Sequence, residues 1–180
     1  PPLLNSVDVH EPFALRAIIV VHTENGHYGL GETYGDEAHV ARLRRAAEEL
    51  IGADPFNLNL IARLVSQSLA QDDGQGGHGT GGMVTTTSLD DRVLSAFNVA
   101  CLDIQGKILG LPVSTLLGGS VREHVDFSGY LFYKWANHPG QDPDRWGAAV
   151  DPAGIVSQAR IMVNDYGFRA LKLKGGVFPP

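Results

Sequence analysis

Cysteine is almost missing. Cys101 is the one thiol in 180 residues, so no internal disulfide framework braces this chain, and a reducing compartment, the cytoplasm, suits it. No apolar run is long enough to span a bilayer. Charge is sparse too, at 19% of residues, and tilted toward acid, with 20 Asp and Glu against 14 Lys and Arg for a formal net charge of -6. That balance repels phosphate backbones and anionic lipid, which argues against nucleic acid or a membrane as a partner. The chain opens on Pro1 without a methionine or signal features and stops at Pro180, so a longer native chain is expected.

Apolar residues are plentiful, at 43% of the chain, enough for a sizeable core. Over residues 13–33, "FALRAIIVVHTENGHYGLGET" sets two extended runs around Asn25-Gly26, predicting a β-hairpin with a type I′ turn. Residues 37–50 have helical spacing, with Ala41, Leu43, Ala47 and Leu50 as apolar positions and Gly52 as the stop; a second helix is expected over 58–70. The glycine-rich "DDGQGGHGTGG" at 72–82 lacks the spacing of a phosphate-binding loop and reads as a mobile loop or lid.

"SLDDRVLSAFNVACLDIQGKILGLPVSTLLGG" predicts a long buried helix. Ser88 is its N-cap candidate, Val93, Phe97, Ala100, Cys101, Ile104 and Ile108 point inward, and Gly110 and Pro112 end it. From residue 125 the period changes. "VDFSGYLFY" reads as a strand, "DPAGIVSQARIMVNDYG" as a helix capped by Asp151 with Pro152 in its first turn and Gly167 past its end, and "FRALKLK" as a second strand. Strand, helix, strand implies a parallel pair with a right-handed crossover. The fold class is therefore α+β followed by α/β, divided near Ser120 into 1–120 and 121–180.

The chemistry concentrates in the last strand. Ala170, Lys172 and Lys174 fall on one face, Leu171 and Leu173 on the other. In a barrel of parallel strands the lysines would face inward near the strand's C-terminal end, where such enzymes work. Two neighbouring ammonium groups repel and partial burial adds to the effect, so one gives up its proton more readily and can act as a general base. On the K-x-K spacing alone, the solvated face of a two-layer sheet is the better reading. Gly175 and Gly176 shift the balance somewhat, because they permit close approach of a ligand. Tyr130 and Phe132 share a face, with core packing the default for Phe132; Asn5 suits an ordinary turn equally well, and His10 by itself reads better as a surface strand entry. Asp103 suits a capping or interdomain contact better than a metal, and His22, His27, His39, His78, His124 and His138 lack ligand spacing.

"VACLDIQGKILGLPVSTLLGG" resembles the helix and exit closing the capping domain of the enolase superfamily, and "ALKLKGG" resembles the K-x-K of its mandelate-racemase-like branch. Within that branch, "LLNSVDVHEPF", "GYLFY" and "YGFRALKLKGGV" are most similar to the glucarate dehydratase family. The resemblance implies an α+β capping domain over 1–120 and, over 121–180, the first βαβ of a modified (β/α)7β barrel. It implies a hydro-lyase that removes water from D-glucarate or a close sugar diacid, through an enediolate stabilised by Mg2+. Lys174 would be the base and Lys172 its companion at the carboxylate. Asn5 and His10 would bind the distal end of the diacid, with Tyr130, Phe132 and one threonine of 85–87, Thr85 by preference. The metal ligands would lie on later barrel strands, so these 180 residues would be inactive alone. The small-molecule diacid would be the partner, and a homo-oligomer the expected assembly. A racemase or cycloisomerase of the same superfamily, a weakly active relative and a non-catalytic interaction module are the alternatives.

Overall fold

The computed structural model describes residues 3–4, 9–10, 15–70 and 86–175. They form β1 (Leu3–Leu4), β2 (Val9–His10), β3 (Arg16–His22), β4 (Tyr28–Tyr34), α1 (Glu37–Glu49) and α2 (Leu58–Ser68). Then follow α3 (Thr86–Leu109), α4 (Val113–Leu116), β5 (Ser128–Phe132), α5 (Pro152–Asn164) and β6 (Ala170–Lys174). Two compact units result, Leu15–Val121 on one side and Pro1–Ala14 with Arg122–Pro180 on the other. The cut after Val121 adjoins Ser120, while Pro1–Ala14, which the sequence reading places in the first domain, group with the second unit.

In the first unit β3 and β4 pair antiparallel, from Arg16 opposite Tyr34 to His22 opposite Tyr28. The connection differs from the expected two-residue type I′ turn. Gly26 N–H donates to the Thr23 carbonyl at 3.0 Å, and Thr23 N–H donates to the His27 carbonyl at 2.9 Å. Glu24, Asn25 and Gly26 therefore form a three-residue loop with Gly26 at φ 82°, the bulged geometry that also preserves strand twist.

β4 turns Gly29, Gly31 and Thr33 inward. The two glycines leave room for the backbone of α3: a methyl group would stand 1.9 Å from the Ala100 carbonyl oxygen at Gly29, and 1.9 Å from that of Ala96 at Gly31. Val93, Phe97, Cys101 and Ile104 then fill the space around this contact, all buried, each large apolar side chain contributing about 1.5–3 kcal/mol. Ile108, expected inward, is 41% exposed, because the helix outruns β4, which starts at Tyr28. Ser88 is not the N-cap, since α3 already begins at Thr86.

The buried face of α1 also departs from expectation. His39, Arg42, Leu43 and Ala46 are inside, while Ala41 and Ala47 are exposed. Asp36 caps this helix by accepting from His39 N–H at 2.9 Å. The same histidine shares a buried hydrogen bond of 3.1 Å between Nε2 and Thr33 Oγ1. Burial pushes the His39 pKa below the ordinary histidine value, opposed by Asp36 and helped by Arg42 and Arg92. The unfolded chain therefore binds this proton more readily. Stability from neutral His39 is present above the unfolded value of 6.5 and falls as pH drops below it, down to the lowered folded pKa. Urea melts of the wild type should lose stability as pH falls below about 6.5, and His39→Gln should flatten that slope.

Burial alone pushes the Cys101 thiol up to about 11 from 9.0. Two pKa units leave roughly a hundredfold less thiolate. At about pH 8 a disulfide-exchange reagent should label Cys101 about a hundredfold more slowly in the native protein than in urea; equal rates would contradict its burial.

The second unit contains the βαβ. β5 and β6 pair in parallel, with Tyr130 opposite Lys172 and Phe132 opposite Lys174. Asp151 caps α5 by accepting from Gly154 N–H at 2.7 Å, and Pro152 occupies the first turn, as the sequence predicts. Leu131, Ala149 and Ile155 form its core, with Tyr133, Ala159 and Met162 packed around them. Among the described residues no helix is long and apolar enough to cross a membrane.

Candidate functional site

Parallel pairing sorts the side chains of β5 and β6 onto two faces. Gly129, Leu131 and Leu171 face α5: a methyl group on Gly129 would stand 2.9 Å from Leu171 Cδ2 and 3.3 Å from Met162 Cβ. The opposite face carries Tyr130, Phe132, Lys172 and Lys174. The Tyr130 and Phe132 rings lie 4.3 Å apart at 45°. Lys172 Nζ sits 4.8 Å from the Tyr130 ring centre and Lys174 Nζ 5.6 Å from that of Phe132. Each ammonium is thus held against an aromatic face by the ring quadrupole. Four of the residues singled out from sequence meet on one patch, two cations over two rings. An anionic carboxylate could be met there by Lys172 and Lys174, with the rings flanking its carbon chain.

Asn5 and Thr85, with Gly176, lie outside the described residues. So does the glycine-rich stretch 72–82. His10 enters through its backbone, paired with Leu3 in the β1–β2 ladder. Leu3 in turn bridges to Lys134, two residues beyond Phe132. Asp103 makes its contact inside the first unit, not between domains: it accepts from Leu30 N–H at 3.0 Å and from Lys107 Nζ at 2.7 Å. The Lys107 hydrogen bond holds the Asp103 carboxyl below the usual carboxylate range against desolvation, with help from Leu30 N–H and the Lys107 charge. Lys107 also donates to the Tyr28 carbonyl at 2.9 Å, so the pair clamps α3 to the start of β4.

Among the described residues no three His, Cys, Asp or Glu side chains converge to hold a metal ion. A cavity of about 780 Å3 lies in the first unit between β3, α1 and α3, lined by Val21, Leu43, Ala47, Leu50, Phe97 and Cys101 among others. None of the predicted site residues among the described ones borders it, so the lysine patch, and not this apolar cavity, is the candidate site.

Sequence reasoning misses Lys134. This residue is 6% exposed and forms an ion pair of 2.8 Å with Asp144. The available signal is its place: Lys134 follows the strand Ser128–Phe132 by two residues, and a lysine continuing an apolar run calls for a partner.

Residues 9–118 match the family described as mandelate racemase / muconate lactonizing enzyme, N-terminal domain. The chain is 48% identical over 187 aligned positions to a probable glucarate dehydratase from Streptomyces coelicolor, covering 100% of this chain and 43% of that protein. A crystal structure of an enolase from Mycobacterium smegmatis complexed with tartrate shares 57% identity at a TM-score of 0.87, over 100% of this chain and 42% of its own. One from Thermobispora bispora complexed with magnesium and formate shares 54% identity at a TM-score of 0.91, over 100% and 43%. The chain thus spans less than half the length of these relatives. With the family match covering more than half of its residues and whole-chain similarity alongside, the chain belongs to the mandelate racemase / muconate lactonizing enzyme family of the enolase superfamily.

Proposed function

We propose that the full-length protein is an acid-sugar dehydratase acting on D-glucarate or a close six-carbon diacid. The observation that carries this reading is the single face formed by Tyr130, Phe132, Lys172 and Lys174. Whole-chain similarity to a probable glucarate dehydratase supports it. So does the tartrate in the Mycobacterium smegmatis relative, a hydroxy diacid in its own right.

In this reading a substrate carboxylate lies over the two ammonium groups. Lys172 pairs with its oxygens and fixes the adjacent carbon. Lys174, two residue pairs further along the strand, takes the proton from that carbon as general base. The electron pair left behind moves into the carboxylate to give an enediolate, and its collapse toward the neighbouring carbon expels that carbon's hydroxyl, which takes up a proton from an acid group of the full-length protein and leaves as water. Tyr130 and Phe132 flank the carbon chain of the diacid with their rings, Tyr130 being exposed on the open face. Asn5, His10 and Thr85 are the proposed contacts for the rest of the diacid.

Magnesium is the proposed cofactor, as the Thermobispora bispora relative is complexed with it; a bound divalent ion would supply electrostatic stabilisation for the negative charge that develops when the proton leaves. The described residues do not form a donor set for it, so its ligands are assigned to other residues of the full-length protein. A homo-oligomer and a cytoplasmic location complete the proposal.

The test is formation of a keto-deoxy acid from D-glucarate, its C5 epimer and galactarate by the full-length protein with Mg2+. Turnover of one or more diacids supports the reading. Interconversion of epimers without loss of water would move it to a racemase, and inertness toward all three would sink it.

A further inference from the structure

Lys134 is a buried ammonium whose side chain reaches no predicted substrate-binding residue. Its Nζ donates to Asp144 Oδ2 at 2.8 Å and Oδ1 at 3.1 Å, to the Gly147 carbonyl at 2.5 Å and to the Trp135 carbonyl at 3.3 Å. Three N–H donors are thereby consumed by acceptors at three separate points of the connection from β5 to α5. Burying a charge costs several kcal/mol unless its pairing is good, and an apolar side chain would fill the space at lower cost. What the ammonium adds is geometry: one point charge draws residues 135, 144 and 147 toward a common centre, so the loop has one closed arrangement.

The backbone of the same residue carries that arrangement outward. Lys134 N–H donates to the Ala149 carbonyl at 2.9 Å and Ala149 N–H donates back at 2.8 Å. On its other side Lys134 bridges antiparallel to Leu3, and Leu3 pairs with His10. His10, Leu3, Lys134 and Ala149 therefore follow one another across a short ladder. With strands about 4.8 Å apart, the His10 backbone stands roughly 10 Å from that of Lys134. Phe132 is only two residues back along the strand, and Lys174 is its partner.

We propose that Lys134, through its ion pair with Asp144, is a positioning residue that fixes the β1–β2 hairpin, and with it His10, in register with the substrate face of β5 and β6. It touches no substrate itself. The proposal rests on the diacid reading above for its kinetic consequence, but its structural consequence stands apart from it.

The experiment uses the full-length protein and two variants, Lys134→Met and Asp144→Asn, with two readouts. In steady-state turnover of D-glucarate, KM should rise about tenfold, since displacements of about 1 Å can cost up to a hundredfold, while kcat stays within about threefold. In amide hydrogen exchange, residues 3–10 should exchange at least about tenfold faster, with 128–132 and 170–174 as protected as in the wild type. Wild-type KM together with unchanged exchange at 3–10 in a folded variant overturns the proposal. A fall in kcat at constant KM overturns it as well, because the ion pair would then act on the chemistry. Should Lys134→Met fail to fold, Asp144→Asn, which keeps an amide in the same volume, decides alone. If the wild type turns over no diacid, the function reading fails and the exchange readout still decides the positioning role.

Discussion

Lys174→Ala in the full-length protein should lower kcat/KM about ten-thousandfold for the diacid whose C5 hydrogen faces the lysine patch, with the fold intact. The magnitude is the upper part of the range that a well-placed general base supplies. A base on a single face acts on one configuration at C5, so the loss should be largest for D-glucarate or for its C5 epimer, not equal for both. Lys172→Ala should behave differently. Its ammonium lies two residue pairs back along the strand, against Tyr130, and serves to hold the carboxylate, so KM should rise along with a smaller fall in kcat. Steady-state kinetics of the two variants on the two epimers checks this, with circular dichroism to establish folding. Equal, modest losses in both variants would mean that the lysines only provide positive charge.

The largest stability effect is expected in the first unit, between β4 and α3. Gly31→Ala adds one methyl group, yet that carbon would sit 1.9 Å from the Ala96 carbonyl oxygen and 2.9 Å from its carbon. Both are backbone atoms of α3 and cannot rotate away. The helix must lift from β4, which opens the contact that Val93, Phe97 and Ile104 surround. A loss of about 3 kcal/mol or more is expected, at the high end for overpacking because the obstacle is main chain. The neighbouring outward position provides the control. Glu32→Ala removes an Arg16 ion pair of 2.6 Å whose side chains are 45% and 54% exposed, and such a pair contributes at most about 1 kcal/mol. Urea midpoints at unchanged slope should separate the two variants clearly. A Gly31→Ala protein as stable as wild type would contradict the close packing of strand and helix.

The parts of this fold that local chemistry dictates are readable in the text of the chain. Asp151, Pro152 and Gly167 bound α5 as their side-chain and backbone preferences require, and alternation in "ALKLK" places both lysines on one face before any pairing is known. What escapes reading depends on distant partners. Nothing in "YGLGETY" announces that its glycines are an inner face, because their role is set by Ala96 and Ala100 about seventy residues later. The two-residue strands β1 and β2 are too short to show a period and exist through bridges to each other and to Lys134. His39 and Arg42 belong by type to the charged face of α1, yet both lie inside, with His39 satisfied by a threonine hydroxyl from β4. At the site, the aromatic partners of the lysines follow from parity, whereas the lysine that organises the adjoining loop becomes visible only with Asp144 and Gly147 around it.

The central claim is that Lys174 removes a proton from the carbon beside a substrate carboxylate. It is tested most directly by following the C5 hydrogen of D-glucarate and of its C5 epimer in D2O by proton NMR, with Mg2+ and the full-length protein in three forms: wild type, Lys174→Ala, and a revertant in which the lysine codon is restored in the same variant clone. The account predicts loss of the C5 signal for one epimer with wild type and the revertant, and its persistence with Lys174→Ala. Exchange at the wild-type rate for both epimers by a folded Lys174→Ala protein would contradict it.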